Sequence, residues 1–271
     1  MSSENQFEIT RDMLDIYLKE VAKEYRRQAG KSIPAELILI GGASVLINYG
    51  FRNMTTDIDA LIQAASVMKD AINRVGDRYG LPNGWLNSDF TRTDSYSTYL
   101  SQYSEYYKTF SNVVTIRTIS AEYLIAMKLR SGRLYKRDLS DVLGILAEHE
   151  KNQTPISLER IRKAVVDLYG SWDVLSETSQ AFIEKVMEEG HFEITYSQIV
   201  NDEDNAKALL KQFESYYPGI TNESNVDAIV TELQQNSRAS VSAFLREQKA
   251  QIDRTDSKDK NPRNNDDLEL R

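Results

Sequence analysis

Two aspartates, Asp57 and Asp59, are separated by a single apolar residue in the stretch Thr55–Ile62. Residues two apart on a β-strand point to the same face of the sheet, so this spacing predicts two neighbouring carboxylates. Like charges so close together repel each other unless a cation lies between them. Carboxylate oxygens are typical ligands of magnesium, and we therefore predict that both aspartates bind Mg²⁺. The alternative is a pair of solvated acids on an edge strand.

A glycine pair lies upstream of these acids. The apolar run Leu37–Ile40 is followed by Gly41 and Gly42, which is typical of a buried strand that ends in a tight turn. A helix is predicted to start at Ala43, so the backbone amides of the turn and the hydroxyl of Ser44 are placed to bind an anion such as phosphate. The competing interpretation is that the glycines only allow the chain to turn.

A single lysine interrupts an apolar helix. The predicted helix over Tyr123–Leu129 is apolar except for Lys128, whose ammonium must reach solvent, a carboxylate or a ligand. Asp138 and Asp141 lie at the start of the next predicted helix, where an acid can cap the helix or complement its dipole. We predict that Lys128 contacts either a bound triphosphate or Asp141.

Two parts of the chain resemble nucleotidyltransferases. The string Leu-Ile-Gly-Gly-Ala-Ser at 39–44, with Asp57 and Asp59 after it, resembles the signature of the polymerase-beta superfamily. The fourteen residues between Gly42 and Asp57 make a slightly longer gap than usual. The stretch 123–142 resembles the lysine and aspartate motifs of the bacterial abortive-infection, AbiEii-type nucleotidyltransferase toxins and their relatives. The resemblance covers about residues 36–146 and includes Trp85–Asn87 more loosely, whereas residues 151–271 have no match.

This resemblance implies a protein that binds a nucleoside triphosphate and magnesium and transfers a nucleotidyl group. The implied acceptor is an RNA, such as tRNA, or a protein, and the implied biological role is the toxin of a toxin–antitoxin or phage-defence pair with a cognate antitoxin. The predicted catalytic residues are Asp57, Asp59, Lys128 and Asp141, of which the first two are the metal ligands. The predicted nucleotide-binding residues are Gly41, Gly42, Ser44, Arg52, Thr56 and Arg133.

One feature of the superfamily is missing from the expected place. Members commonly carry a third carboxylate on a later strand, but the predicted strand Asn112–Thr118 has Arg117 instead. Asp89, Asp138 and Asp141 are possible substitutes, and Asp141 is preferred because it lies in the better-matching stretch. The missing acid favours a second reading, a catalytically silent binding or regulatory protein with this fold. A third reading, an antitoxin or scaffold that acts through the acidic second half, rests on charge alone.

The surrounding elements predict an α+β fold, with a nucleotidyltransferase-like mixed sheet, flanking helices and an all-helical C-terminal region. We predict a nucleotidyltransferase-like domain with an N-terminal helix at 1–150, a helical domain at 151–252 and a disordered tail at 253–271, where almost no apolar residue occurs. Six aromatic residues at steps of three and four predict a helical stripe in the core or at an interface rather than a platform for nucleobases. They are Tyr96, Tyr99, Tyr103, Tyr106, Tyr107 and Phe110.

The amino-acid composition excludes several kinds of covalent cross-link, nucleophile and metal site. The 271 residues include no cysteine and two histidines, which excludes disulfides, a thiol nucleophile, Cys-ligated zinc, iron–sulfur clusters and a histidine-based metal site. No stretch approaches the roughly 20 apolar residues of a membrane span, and the N-terminus lacks the pattern of a signal peptide, so we expect a cytoplasmic protein without a membrane partner.

The charge is distributed unevenly along the chain. The net charge is −8, and it belongs mainly to the second half, because residues 1–150 carry 18 basic and 19 acidic side chains whereas residues 151–271 carry 15 and 22. Five basic residues nevertheless lie between Lys128 and Arg137. We predict that this basic cluster borders the active-site cleft and receives an anionic acceptor, with RNA favoured.

Overall fold

The structure of the protein is a computed structural model that describes residues 7–222 and 225–235. The chain forms two compact units. The first contains the residues up to Gly132 together with Arg137–Ile199, and the second contains Arg133–Lys136 and the residues from Val200 onward. The predicted domain boundaries stay a prediction, and the tail 253–271 lies outside the described residues.

Within the described ranges the chain forms nine α-helices and five β-strands. The helices are α1 (Arg11–Ala29), α2 (Gly41–Asn48), α3 (Val67–Tyr79), α4 (Ala121–Ser131), α5 (Asp138–Lys151), α6 (Leu158–Tyr169), α7 (Glu177–Glu189), α8 (Phe192–Tyr216) and α9 (Val226–Gln235). The strands are β1 (Ala35–Leu39), β2 (Ile58–Gln63), β3 (Leu86–Asn87), β4 (Ser104–Phe110) and β5 (Val114–Ile119). The predicted α+β class, with a mixed sheet, flanking helices and a helical C-terminal part, is confirmed. None of the helices in these ranges combines the length and the hydropathy that a membrane-spanning helix requires.

β1 lies in the middle of the sheet, whose strand order is β3-β2-β1-β5-β4. It pairs antiparallel with β2 and parallel with β5. Leu39 lies opposite Ala60, and the N–H of Ile40 donates to the carbonyl of Asp59 at 2.9 Å. β1 and β2 are thus neighbours, and their pairing brings the glycine turn to the acidic strand.

The sheet has a buried core on each face. Ile38 and Ile40 pack with α4, α5 and α6 on one face, with Leu61 of β2 partly buried beside them. The other face packs against α1 and α3 and buries four alternate strand residues, Leu37, Leu39, Ile58 and Ala60. Because side chains alternate along a strand, Asp59 lies on the same face as Leu61, opposite Ile58.

Residues 49–52, which follow α2, are held against one side of α5. The N–H of Gly50 donates to Glu148 Oε1 at 3.0 Å, and Phe51 packs over Gly144. Three of the contacting α5 residues, Asp141, Gly144 and Glu148, are three and four positions apart and so share one helix face. His149 lies beside this face and contacts the hydroxyl of Tyr49. α5 therefore fixes the course of the chain just before it reaches the acidic strand.

The prediction that the aromatic series forms a helical stripe is wrong. Residues 100–103 form a short 3-10 helix, and the residues that follow form the edge strand β4. The register of β4 against β5 shifts between Tyr106 and Lys108, and Tyr106 is 63% exposed. Aromatic residues favour strands, and an extra residue at a β-bulge breaks the regular alternation of a strand, so the observed spacing imitated a helix.

The contact between Phe51 and Gly144 predicts an unusual response to an alanine. A Cβ on residue 144 would lie 2.5–2.6 Å from three atoms of the Phe51 ring. Although alanine is better than glycine in a helix interior by about 1 kcal/mol, we expect Gly144→Ala to lower the free energy of unfolding in urea by about 1–3 kcal/mol through overpacking. In a Phe51→Ala background the same substitution should instead stabilise. A Gly144→Ala variant more stable than the wild type would contradict the packing of Phe51 over Gly144.

Candidate active site

Of the two predicted metal ligands only Asp59 lies in β2, so the prediction that both carboxylates project from one strand is wrong for Asp57. Asp57 is exposed just before the strand, and Asp59 is half-buried within it. An Oδ2 of Asp59 lies 3.7 Å from the position that a Cβ on Gly41 would take. The structure thus brings the carboxylate of Asp59 next to the glycine turn, as the order of the two strands requires.

The glycine turn forms the start of α2. Gly41 has φ +56°, a left-handed conformation that glycine adopts without strain. The helix is preceded by Ile40, which makes no side-chain capping hydrogen bond. The first backbone amides of a helix have no partner within the helix, and they lie at the positive end of its dipole. The beginning of α2 is therefore suited to an anion.

Arg52 lies against this helix start. A Cβ on Gly42 would come within 2.9 Å of Arg52 Nη2 and 2.5 Å of Thr55 Oγ1, so only glycine allows the observed approach. Arg52 Nε donates to the carbonyl of Met54 at 3.0 Å, and Nη1 forms an ion pair with Asp141 Oδ2 at 2.5 Å. The guanidinium is consequently fixed on several sides beside the amides of the turn.

Asp141 belongs to a buried group of charges. Lys128 Nζ lies 2.8 Å from Asp141 Oδ2 and 3.0 Å from Asp138 Oδ1, and the three residues are 8%, 2% and 0% exposed. Burial by itself lowers the pKa of Lys128, but the carboxylates of Asp141 and Asp138 outweigh it, and the pKa is raised. The ammonium therefore stays charged. The predicted contact between Lys128 and Asp141 is confirmed.

The two α5 aspartates combine a position at the helix start with contacts to Lys128. Asp138 and Asp141 lie in the first turn of α5, where acids complement the helix dipole, and the N-cap residue is Arg137. Their carboxylates also lie within ion-pair distance of the Lys128 ammonium. The sequence signal for these contacts was the single lysine on the apolar helix. A buried ammonium without an anionic partner costs much free energy, so a nearby carboxylate was to be expected.

The other predicted nucleotide-binding residues occupy different surroundings. Ser44 is fully buried, and its hydroxyl accepts a hydrogen bond from the N–H of Ile119 at 3.2 Å. Thr56 is exposed next to Asp57. Arg133 belongs to the second compact unit. The assignment of all three to nucleotide binding stays a prediction.

An amide lies beside Asp59 on the neighbouring strand. Asn87 of β3 is in register with Asp59, so the two side chains share one face of the sheet. Asn87 Nδ2 donates to the carbonyl of Gly84 at 2.9 Å, and its Oδ1 accepts from the N–H of Asp89 at 2.7 Å. Among the described residues, no group of three or more His, Cys, Asp or Glu side chains is placed to hold a metal. The loose match at Trp85–Asn87 was the only sequence signal for this neighbour.

The basic cluster does not form a continuous positive surface. Lys128 is buried between two carboxylates. Arg130 donates hydrogen bonds to the backbone carbonyls of Asp94 and Val174. The expectation that the whole cluster faces an anionic acceptor is therefore wrong for these two residues, whereas Lys136 is exposed.

Comparison with known proteins agrees with this architecture. The model of the family described as nucleotidyltransferase of unknown function (DUF6036) matches residues 17–179, more than half of the chain. The chain belongs to this family, and the matched segment contains the glycine turn, the acidic strand and the buried charges. Comparison with curated proteins and with solved structures gave no match.

The buried charges predict a large effect of removing Lys128. Lys128→Met leaves the carboxylates of Asp138 and Asp141 buried without their shared cation, and we expect the free energy of unfolding to fall by about 3–5 kcal/mol. Urea denaturation at neutral pH measures this. Lys163→Met, which breaks an exposed ion pair with Asp167, is the matched control and should change little. Equal stability of the two variants would show that the buried lysine is dispensable.

The surroundings of Ser44 predict a structural role that mutation can separate from ligand binding. Ser44→Ala leaves the N–H of Ile119 without its acceptor, so we expect the free energy of unfolding to fall by about 1–3 kcal/mol. Ser66→Ala is a suitable control, because the exposed Ser66 precedes α3 without a side-chain capping bond. Unchanged stability combined with weaker nucleotide binding would instead place the Ser44 hydroxyl on a ligand.

Proposed function

We propose that the protein is a magnesium-dependent nucleotidyltransferase that moves a nucleotidyl group from a nucleoside triphosphate to an RNA or protein acceptor. The observation that carries this proposal is the meeting of three features at the start of α2: the backbone amides of the first helical turn, the guanidinium of Arg52 and the carboxylate of Asp59. Membership of a nucleotidyltransferase family supports the reaction class.

In this proposal the triphosphate binds at the glycine turn. The amides of Gly41 and Gly42 and the guanidinium of Arg52 hold its oxygens, with Thr56 as a further predicted contact. Phosphoryl chemistry depends mainly on positioning and on neutralising the charge that spreads over the transferred group. A helix start beside a fixed guanidinium provides both.

The two aspartates fit the requirements of magnesium. Mg²⁺ is commonly held by one or two carboxylates together with substrate phosphates and waters, so it does not need a third protein acid. Asp59 supplies a hard oxygen donor beside the place proposed for the phosphates, and Asp57 lies two residues before it and is exposed. When bound, magnesium would neutralise the developing charge and orient the reacting phosphate.

The acceptor is proposed to attack the α-phosphorus through a hydroxyl oxygen. A new bond forms between that oxygen and the phosphorus, and the hydroxyl proton is released to water. The bond between the α-phosphorus and the oxygen that bridges to the β-phosphate breaks, and pyrophosphate leaves with that oxygen. The choice of an RNA or protein acceptor, the cytoplasmic location and the role as a toxin with a cognate antitoxin all belong to this proposal. The acceptor classes and the toxin role rest on the resemblance of residues 123–142 to the AbiEii-type toxins.

A second candidate function is nucleotide binding without turnover. The observation in its favour is Asn87, which offers an amide beside Asp59 in a described region that has no third acid close to the pair. Such a protein would keep the anion site and act as a binding or regulatory protein.

Labelling separates the two candidates. We expect the wild-type protein, incubated with Mg²⁺, each α-labelled nucleoside triphosphate and a cell extract, to label an RNA or a protein. Asp57→Asn or Asp59→Asn should reduce labelling by at least about 100-fold, because several kcal/mol of transition-state stabilisation are lost.

The control for charge removal is Asp94→Asn, since Asp94 is 90% exposed and its contact is a long ion pair with Arg130. It should label as the wild type does. Normal labelling by both Asp57→Asn and Asp59→Asn would refute the assignment of the aspartates. Triphosphate binding without labelling by the wild type would favour the second candidate.

A further inference from the structure

We propose that Asp141 is a positioning residue that holds the guanidinium of Arg52 at the start of α2, and that Arg52 contacts the phosphate chain of the nucleotide. This role differs from that of a third metal ligand, for which Asp141 was the preferred candidate from sequence. The inference rests on the proposed function, because Arg52 meets phosphates only if the triphosphate binds at the glycine turn.

The surroundings of the Asp141 carboxylate point to this role. Its Oδ2 lies 2.5 Å from Arg52 Nη1 and 2.8 Å from Lys128 Nζ, so one oxygen already receives two cationic donors. Asp141 is 2% exposed. A magnesium ion brought to the same carboxylate would meet two positive charges at close range, which Coulomb repulsion disfavours.

The geometry of Arg52 shows what the ion pair achieves. A guanidinium is planar and presents its donors in a fixed fork, so contacts on several edges fix its orientation. The Nε edge is bound to the Met54 carbonyl, Nη1 is bound to Asp141, and Nη2 lies over Gly42. The side chain keeps 18% of its surface exposed. It is therefore held in place and still reachable by a ligand.

Lys128 completes the arrangement electrostatically. Asp141 alone would cancel the charge of Arg52 and weaken its attraction for phosphate. Lys128 lies between Asp141 and Asp138, so the two aspartates are opposed by two cations in this part of the site. The ammonium itself is buried, so its contribution to the anion site is made through Asp141 and Arg52.

Binding of inorganic tripolyphosphate tests the proposal without catalysis. We expect Arg52→Ala to raise the Kd, measured by calorimetry with EDTA present, by roughly 10- to 100-fold, the range for a hydrogen bond to a charged group. Asp141→Asn, which keeps the size of the side chain, should raise the Kd by a similar factor. The variant that carries both Arg52→Ala and Asp141→Asn should have the same Kd for tripolyphosphate as Arg52→Ala alone, because Asp141 acts through Arg52.

The dependence on Mg²⁺ distinguishes a positioning residue from a metal ligand. In an Mg²⁺ titration of tripolyphosphate binding, Asp141→Asn should leave the Mg²⁺ concentration at half-effect unchanged, whereas Asp59→Asn should raise it. Additive losses in the double variant, or a raised Mg²⁺ requirement in Asp141→Asn, would overturn the inference while leaving the proposed function intact. Failure of the wild-type protein to bind tripolyphosphate or any nucleoside triphosphate would overturn both.

Urea unfolding of each variant shows whether it is folded, and a second substitution covers the case in which Asp141→Asn is not. Arg52→Lys keeps a cation near Asp141 but loses the planar fork that also reaches Met54 and Gly42. We expect its Kd for tripolyphosphate to rise by roughly 10-fold or more. An unchanged Kd for this variant would overturn the proposal, because orientation of the guanidinium would then be irrelevant.

Discussion

The site depends on a cation buried between two carboxylates. Lys128 on α4 stays charged beside Asp138 and Asp141, and separating it from these acids would break two buried ion pairs. The ion pairs therefore fix α5 relative to α4. α5 in turn carries the surface against which residues 49–52 lie, and those residues bring Arg52 to the start of α2. The anion site is thus positioned by the buried ion pairs among Lys128, the two α5 aspartates and Arg52.

The sequence contained enough information for the parts that depend on local pattern. A short apolar run before Gly41 indicated β1, and the apolar residues around the two acids indicated β2. Lys128 predicted an anionic partner, because a single charged residue on an apolar helix is costly to bury without one. These expectations depend on period and polarity, which are properties of neighbouring residues.

The remaining features depend on contacts between distant segments. Arg52 and Asp141 are 89 residues apart, and neither lies in a pattern that names the other. Ser44 looked like a phosphate ligand because it follows two glycines, yet its hydroxyl accepts from a strand that comes 75 residues later. The aromatic series was misread because a bulged strand and a helix can share the same spacing. Sequence period alone could not separate these cases.

The ion pair between Arg52 and Asp141 limits the substitutions that the protein tolerates at these two positions. Replacing Arg52 leaves Asp141 with one cation fewer, and replacing Asp141 leaves the mostly buried guanidinium without its carboxylate, so a single exchange at either position should lower stability even where the ligand is not touched. Exchanges that alter both positions together escape this penalty. Related sequences should consequently vary at positions 52 and 141 in a correlated manner. The segment between α2 and β2 is therefore constrained at position 52 by a residue of α5.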